Sequence, residues 1–113
     1  MRQLDEKTAL AIVFANTKRK KRTEDLVTVA EAFEYLVGLY GSQKAVAEKT
    51  DLSAEIVREF RRILALPDQI QDMVRSRRID SLDVAYRISM LDSLHKQVKA
   101  AQEAVDLTSD DVR

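Results

Sequence analysis

Apolar positions recur at three- and four-residue intervals along most of this chain, the spacing of helices that bury one face. The longest such run is Leu26, Val29, Ala30, Phe33, Leu36, Val37 and Tyr40, which predicts a helix over 26–40. Gly41 follows as a stop, since a residue without Cβ enters left-handed backbone freely, and Ser42 is placed to cap what comes next. Upstream, Asp5 can cap a helix reaching Ala15, with Leu4, Thr8, Ala11, Ile12 and Ala15 on one face. Thr23-Glu24-Asp25 then offers a new helix start. Downstream, Pro67 fits the first turn of a helix, where its missing N–H is harmless, and Ile70, Met73 and Val74 form its apolar side. Ser81 can cap a helix bearing Leu82, Ala85, Ile88 and Leu91, and Ser93 one bearing Leu94, Val98, Ala101 and Val105. Thr108 with Asp111 resembles a further start that the chain does not complete, which would make the C-terminus a cut.

Between these elements, Gln43 to Arg62 has the pattern of a helix-turn-helix. The first helix is Gln43 to Thr50, the turn Asp51-Leu52, and the second helix runs from Ser53 to near Ala65. Val46 faces the core, and Ala47 is small where the second helix crosses closely. Thr50 and Leu52 flank the turn, and Val57 and Phe60 anchor the second helix on the first. Asp51 stands where glycine is usual, and aspartate tolerates left-handed backbone better than other residues except glycine and asparagine.

The outward positions of the second helix are then Ser53, Ala54, Glu55, Arg58, Glu59 and Arg62. In this motif the N-terminal part of that helix enters the major groove of DNA. Arg58 could bond O6 and N7 of a guanine, and Glu55 or Glu59 could accept from a cytosine amino group. Ser42, Gln43 and Lys44 could meet phosphates through side chains and free backbone N–H groups. The same arginines and glutamates also fit a solvated face laced by intrahelical pairs.

Composition narrows the fold. Two glycines and one proline leave little material for hairpins, and 5% aromatics require a core of Leu, Ile, Val and Ala. The expectation is an all-α, compact multi-helix domain of about six to seven short helices. Thr17 to Asp25, where the sequence turns polar, is the one candidate break. It divides an N-terminal helix and basic connector (1–22) from a helical helix-turn-helix domain (23–113). With no cysteine and one histidine, His95, neither disulfides nor the usual zinc clusters are available, and no cofactor is expected. His95 reads as a surface residue, and Tyr35, Tyr40 and Tyr86 as packing residues. No serine, histidine and acid grouping suggests nucleophilic catalysis, so enzyme activity is not expected. Neither a signal peptide nor a stretch approaching about 20 apolar residues is present, so no membrane partner and a cytoplasmic location are expected.

Zero formal net charge, 19 basic against 19 acidic residues, is unlike the basic excess common in nucleic-acid binders. The charges are partly segregated, with Lys18, Arg19, Lys20, Lys21 and Arg22 in one basic run. That run could contact phosphates, but a solvated turn between helices is the preferred reading. Arg75, Arg77 and Arg78 either complement a helix dipole or lie against the DNA backbone.

Past the motif, "RRILALPDQIQDMVRSRRI" resembles the segment after the recognition helix in ParB-type partition proteins, whose "LRLLKLP" pattern Arg62-Ile63-Leu64-Ala65-Leu66-Pro67 fits position by position. Upstream, Asp25, Leu26, Glu31, Ala32, Tyr35, Leu36, Ser42, Gln43 and Ala47 match that family's acidic-leucine start, Glu-Ala pair, aromatic and Ser-Gln opening. The resemblance runs from about Ala9 to the end. It implies sequence-specific binding of double-stranded DNA in a prokaryotic cytoplasm, on nucleoid or plasmid, for partition or repression. A partition ATPase is the implied protein partner. Dimerisation, which would pair two half-sites, is largely carried in the family by a separate C-terminal domain, which is not expected within these 113 residues. Family members that bind and hydrolyse CTP carry a Gly-Glu-Arg-Arg signature that is absent here. Ala15 stands where the family's Glu-Asn-X-X-Arg stretch has its acid, so Asn16 and Arg19 do not make a nucleotide site. Leu82-Asp83-Val84-Ala85 replaces a Gly-His-Ala-Arg stretch, so DNA contacts are not carried over to it. The alternative function is a helical protein-interaction adaptor without DNA affinity, favoured by zero net charge and by Glu55 and Glu59.

Overall fold

A computed structural model describes residues 3–18 and 21–112, with side chains described to Leu107. Seven helices are present among the described residues: α1 (Glu6–Thr17), α2 (Leu26–Tyr40), α3 (Gln43–Thr50), α4 (Ala54–Ile63), α5 (Asp68–Arg75), α6 (Leu82–Ser89) and α7 (Leu94–Val112). The expected all-α architecture is therefore observed. Each helix start follows from a local device. The side chains of Asp5, Asp25, Ser42, Ser53 and Ser81 accept from the backbone N–H three residues on, supplying a partner that the first turn otherwise lacks. Ser93 does the same for Lys96. Pro67 sits just outside α5 as its N-cap, without a side-chain bond, rather than in its first turn.

α2 is the centre of the molecule and packs against α1, α3, α4 and α5. The expected apolar stripe of this helix holds, but Val27 and Ala32 are also fully buried. A helix flanked on several sides must bury more than one face. Against it α4 lays Val57, Phe60 and Ile63, and the rings of Phe33 and Phe60 meet at 5.0 Å between centroids, tilted by 30°. That tilted contact couples the central helix directly to the second helix of the motif.

Two further expectations need correction. The buried side of α1 is Ala9, Ile12, Val13 and Asn16, not the face containing Ala11, which is exposed. In the run Ala9 to Ala15 all seven residues are apolar, so spacing alone cannot fix the helix phase. Thr108 begins no new helix, because α7 continues unbroken through it to Val112.

After α4 the chain turns through 3₁₀-type bonds from Leu64, Ala65 and Leu66, and the Gln71 amide donates to the carbonyls of Leu64 and Leu66 at 3.1 and 2.9 Å. This side-chain clamp replaces the helical partners those carbonyls have lost, and α5 is thereby held against the end of α4. α6 packs on α4 and α7 on α6, so the motif is held on a helical platform.

Candidate nucleic-acid interface

The motif is built from its caps outward. Ser42 Oγ accepts from Ala45 N–H at 3.0 Å, which leaves the first backbone N–H groups of α3, at Gln43 and Lys44, without helical partners. At the other end Asp51 adopts φ 58, ψ 40, the left-handed conformation expected of the turn, and Leu52 N–H closes back on the Ala47 carbonyl at 3.0 Å. Val46, Ala47 and Thr50 are buried, and Thr50 Oγ1 donates to the Val46 carbonyl, so its hydroxyl is satisfied inside the helix pair. Ser53 then caps α4 through Ile56 N–H at 3.1 Å. Both capping serines accept through one lone pair, and each keeps an O–H that can donate to an anion.

The exposed face of α4 is Ala54, Glu55, Arg58 and Arg62, while Glu59 is half-buried. Among the described residues, no ion pair or hydrogen bond engages Arg58, Glu55 or Lys44 through its side chain. Arg62 is different. Its Nη2 donates to the carbonyl of Ser89 at 3.1 Å, at the C-terminal end of α6. Eight residues separate Arg62 from Ala54, about 12 Å along the axis, so Arg62 lies far from the end of α4 that enters a groove.

The other basic residues divide in the same way. Lys18 Nζ donates to the carbonyl of Asp51 at 3.3 Å and lies over the Phe14 ring, which brings the start of the basic connector onto the motif's turn. Lys21 is exposed, and Arg19 and Lys20 lie outside the described residues. Arg22 is no free phosphate ligand: its guanidinium bonds the carbonyls of Glu24 and Asp80 and pairs with the Asp80 carboxylate at 2.8 Å. Arg75 pairs with Glu31 on α2 at 3.4 Å. Arg78 Nε donates to Ser76 Oγ at 3.1 Å, and exposed Arg77 takes the left-handed position after α5 with φ 65.

Two structural residues of this region escape a reading by spacing. Arg61 turns inward between three helices. Its Nε and Nη2 grip both oxygens of Glu34 on α2, at 2.8 and 3.2 Å, and Nη1 reaches Gln43 Oε1 on α3 at 2.9 Å. The hydrogen bonds from Arg61, aided by its charge, hold the Glu34 carboxyl below its ordinary range against an opposing effect of burial. Asn16 is buried at the end of α1. It donates to the Ile12 carbonyl at 2.7 Å and accepts from the N–H groups of Thr23 and Glu24 at 2.8 and 2.9 Å. Its role is to fold the connector back onto α1. An open cleft of about 320 Å³ beside α4 is bordered by Asn16, Arg22, Ile56 and Phe60. Its polar lining residues, Asn16, Thr17 and Arg22, are already bonded within the protein. His95 is exposed on α7, and no group of three histidine, cysteine or acidic residues is placed to hold a metal among the described residues.

A family model described as the ParB HTH domain matches residues 24–110. The chain belongs to the ParB helix-turn-helix domain family. The match covers α2 to all but the last residues of α7, and it leaves α1 and the connector outside, whereas the resemblance read from the residues began near Ala9. No curated protein and no solved structure matches the chain. In this ParB-type domain the motif itself is α3 and α4, and α2, α5 and α6 form the support that fixes its orientation. No helix among the described residues is long and apolar enough to cross a membrane.

Proposed function

We propose that this ParB-type domain binds double-stranded DNA with sequence preference through α3 and α4, for plasmid or chromosome partition or for transcriptional regulation. The observation that carries the proposal is the arrangement of the motif. Two capped helices meet at a left-handed turn, and the exposed faces near their N-termini carry Lys44 and Arg58 without internal partners among the described residues. On this reading Arg58 and Glu55 contact base edges, with Glu59 at the margin of the face. Ser42, Gln43, Lys44 and Ser53 bind phosphates, and Lys18 and Lys21 add contacts beside the turn. Ala54 is small enough to let the helix approach the bases closely. The domain acts without a cofactor and without catalysis, in the cytoplasm on a nucleoid or plasmid. A second copy supplies the other half-site, and a partition ATPase is its protein partner.

The adaptor reading retains one favourable observation. Met90, Leu91 and Leu94 are exposed together at the junction of α6 and α7, 56%, 36% and 57% accessible, an apolar corner that suits a protein partner. Replacing Arg58 with alanine distinguishes the two. A base-reading Arg58 predicts a loss of about 1–3 kcal/mol on the preferred sequence and a smaller loss on random DNA. An adaptor predicts no change, because there is no DNA affinity to lose.

A further inference from the structure

Resting on that DNA-binding reading, we infer that Arg61 is a positioning residue, which orients the Gln43 side chain as a phosphate donor and fixes the start of α3 against α4. A guanidinium has only donors, so the amide end that faces Nη1 must be the carbonyl Oε1 of Gln43. The Nε2 end, with two N–H donors, is thereby turned away from Arg61, at the helix start where the backbone N–H groups of Gln43 and Lys44 are also unpartnered. Arg61 can hold this orientation because it is itself fixed. The two-point grip on Glu34 removes its freedom to rotate and ties the guanidinium plane to the central helix. Three helices therefore meet at one side chain: α2 through Glu34, α3 through Gln43, and α4 through Arg61 itself.

Stability gives little reason for the arrangement. The side chains of Arg61 and Glu34 are 30% and 50% exposed, and exposed ion pairs contribute little to folding. Its consequence lies in geometry. A glutamine amide held in place donates to a phosphate without losing rotamer freedom on binding. The link also sets the distance between the phosphate-facing start of α3 and the base-facing start of α4.

The test has two arms on the full chain. In the first, the ¹⁵N order parameter of the Gln43 side-chain amide is measured without DNA, with exposed Gln69 as reference. The inference predicts a rigid amide that becomes as mobile as Gln69 in Arg61→Leu, in a variant that circular dichroism shows to be folded. A wild-type amide already as mobile as Gln69 overturns it. In the second, affinities for the preferred sequence are compared. Arg61→Leu and Gln43→Leu each weaken binding about ten-fold, and the double variant loses no more than either single one. The salt dependence stays that of the wild type, since Gln43 is uncharged and the Arg61 guanidinium is engaged by Glu34 and Gln43 rather than by phosphate. Independent, additive losses, or a salt slope reduced by about 0.9 in Arg61→Leu, overturn the inference, the latter by making Arg61 a direct phosphate contact. If the wild type binds no DNA, the DNA-binding reading falls, and the amide measurement alone decides the link.

Discussion

The guanidinium of Arg62 donates to the carbonyl oxygen of Ser89, joining the C-terminal end of α4 to that of α6 at 3.1 Å. The acceptor is a carbonyl at the end of α6, where the last carbonyls lack helical partners and partial negative charge collects. Arg62 thus acts as a tie between the motif and its platform. Arg62→Met is expected to cost about 1.5–3 kcal/mol of stability, the range for a hydrogen bond to a charged group. Chemical denaturation would show this as a lowered midpoint, while preference among DNA sequences is retained. A changed sequence preference at unchanged stability would return Arg62 to the reading face.

Asn16 serves three backbone groups at once: the carbonyl of Ile12 and the N–H groups of Thr23 and Glu24. Asn16→Ala leaves the two N–H groups without their acceptor, and a destabilisation of about 1–3 kcal/mol follows. Amide exchange at Thr23 and Glu24 should accelerate in the variant more than exchange in the middle of α2. Asn16→Asp keeps the acceptor, and it should preserve slow exchange at those two amides better than alanine does.

Asp51 occupies left-handed backbone at φ 58, where a side chain crowds its own carbonyl. Asp51→Gly relieves that strain and is expected to be neutral or stabilising by up to about 1 kcal/mol. Asp51→Val, with a branched Cβ, should destabilise by about 1–2 kcal/mol. The Lys18 bond is to the backbone carbonyl and survives both changes. Thermal melts of the two variants beside the wild type check the order Gly, Asp, Val.

Tyr40 Oη donates to Glu6 Oε2 at 2.6 Å, joining the end of α2 to the start of α1. That hydrogen bond, with burial and the Glu6 charge behind it, pushes the phenol from its ordinary 10.0 up to about 12. A raised pKa means that the neutral, donating form is favoured by folding. Its stabilisation is complete below about pH 10 and disappears as pH rises through about 12. In an absorbance titration of tyrosinate, Tyr40→Phe should remove the component that ionises near pH 12. Loss of a component near pH 10 instead would show that the contact with Glu6 does not persist in solution.

How much of this was legible depends on how far apart the partners lie in sequence. The caps at Asp5, Ser42, Ser53 and Ser81 act within three residues, so spacing reveals them. Gly41 and Asp51 announce helix ends by their own backbone chemistry, and the motif's boundaries followed from them. Arg61 was invisible for the opposite reason: its partners Glu34 and Gln43 are 27 and 18 residues away, and only the packing of α2, α3 and α4 brings them together. Arg62 and Arg22 read as free cations because their acceptors, on Ser89 and Asp80, are 27 and 58 residues away. Asn16 had a local signal, a polar residue at the end of an apolar run, but its partners lie across a turn that composition does not specify.

If α3 and α4 read double-stranded DNA, a fluorescence anisotropy titration of the full chain will show it. Labelled duplexes selected from a random pool and an unselected control are titrated at about 50 and 200 mM salt. Both duplexes are expected to bind at low salt, the selected one more tightly, and each affinity is expected to fall steeply with salt. Absence of binding to either duplex at low salt would rule out DNA reading by α3 and α4 and leave the apolar corner of Met90, Leu91 and Leu94 as the working surface.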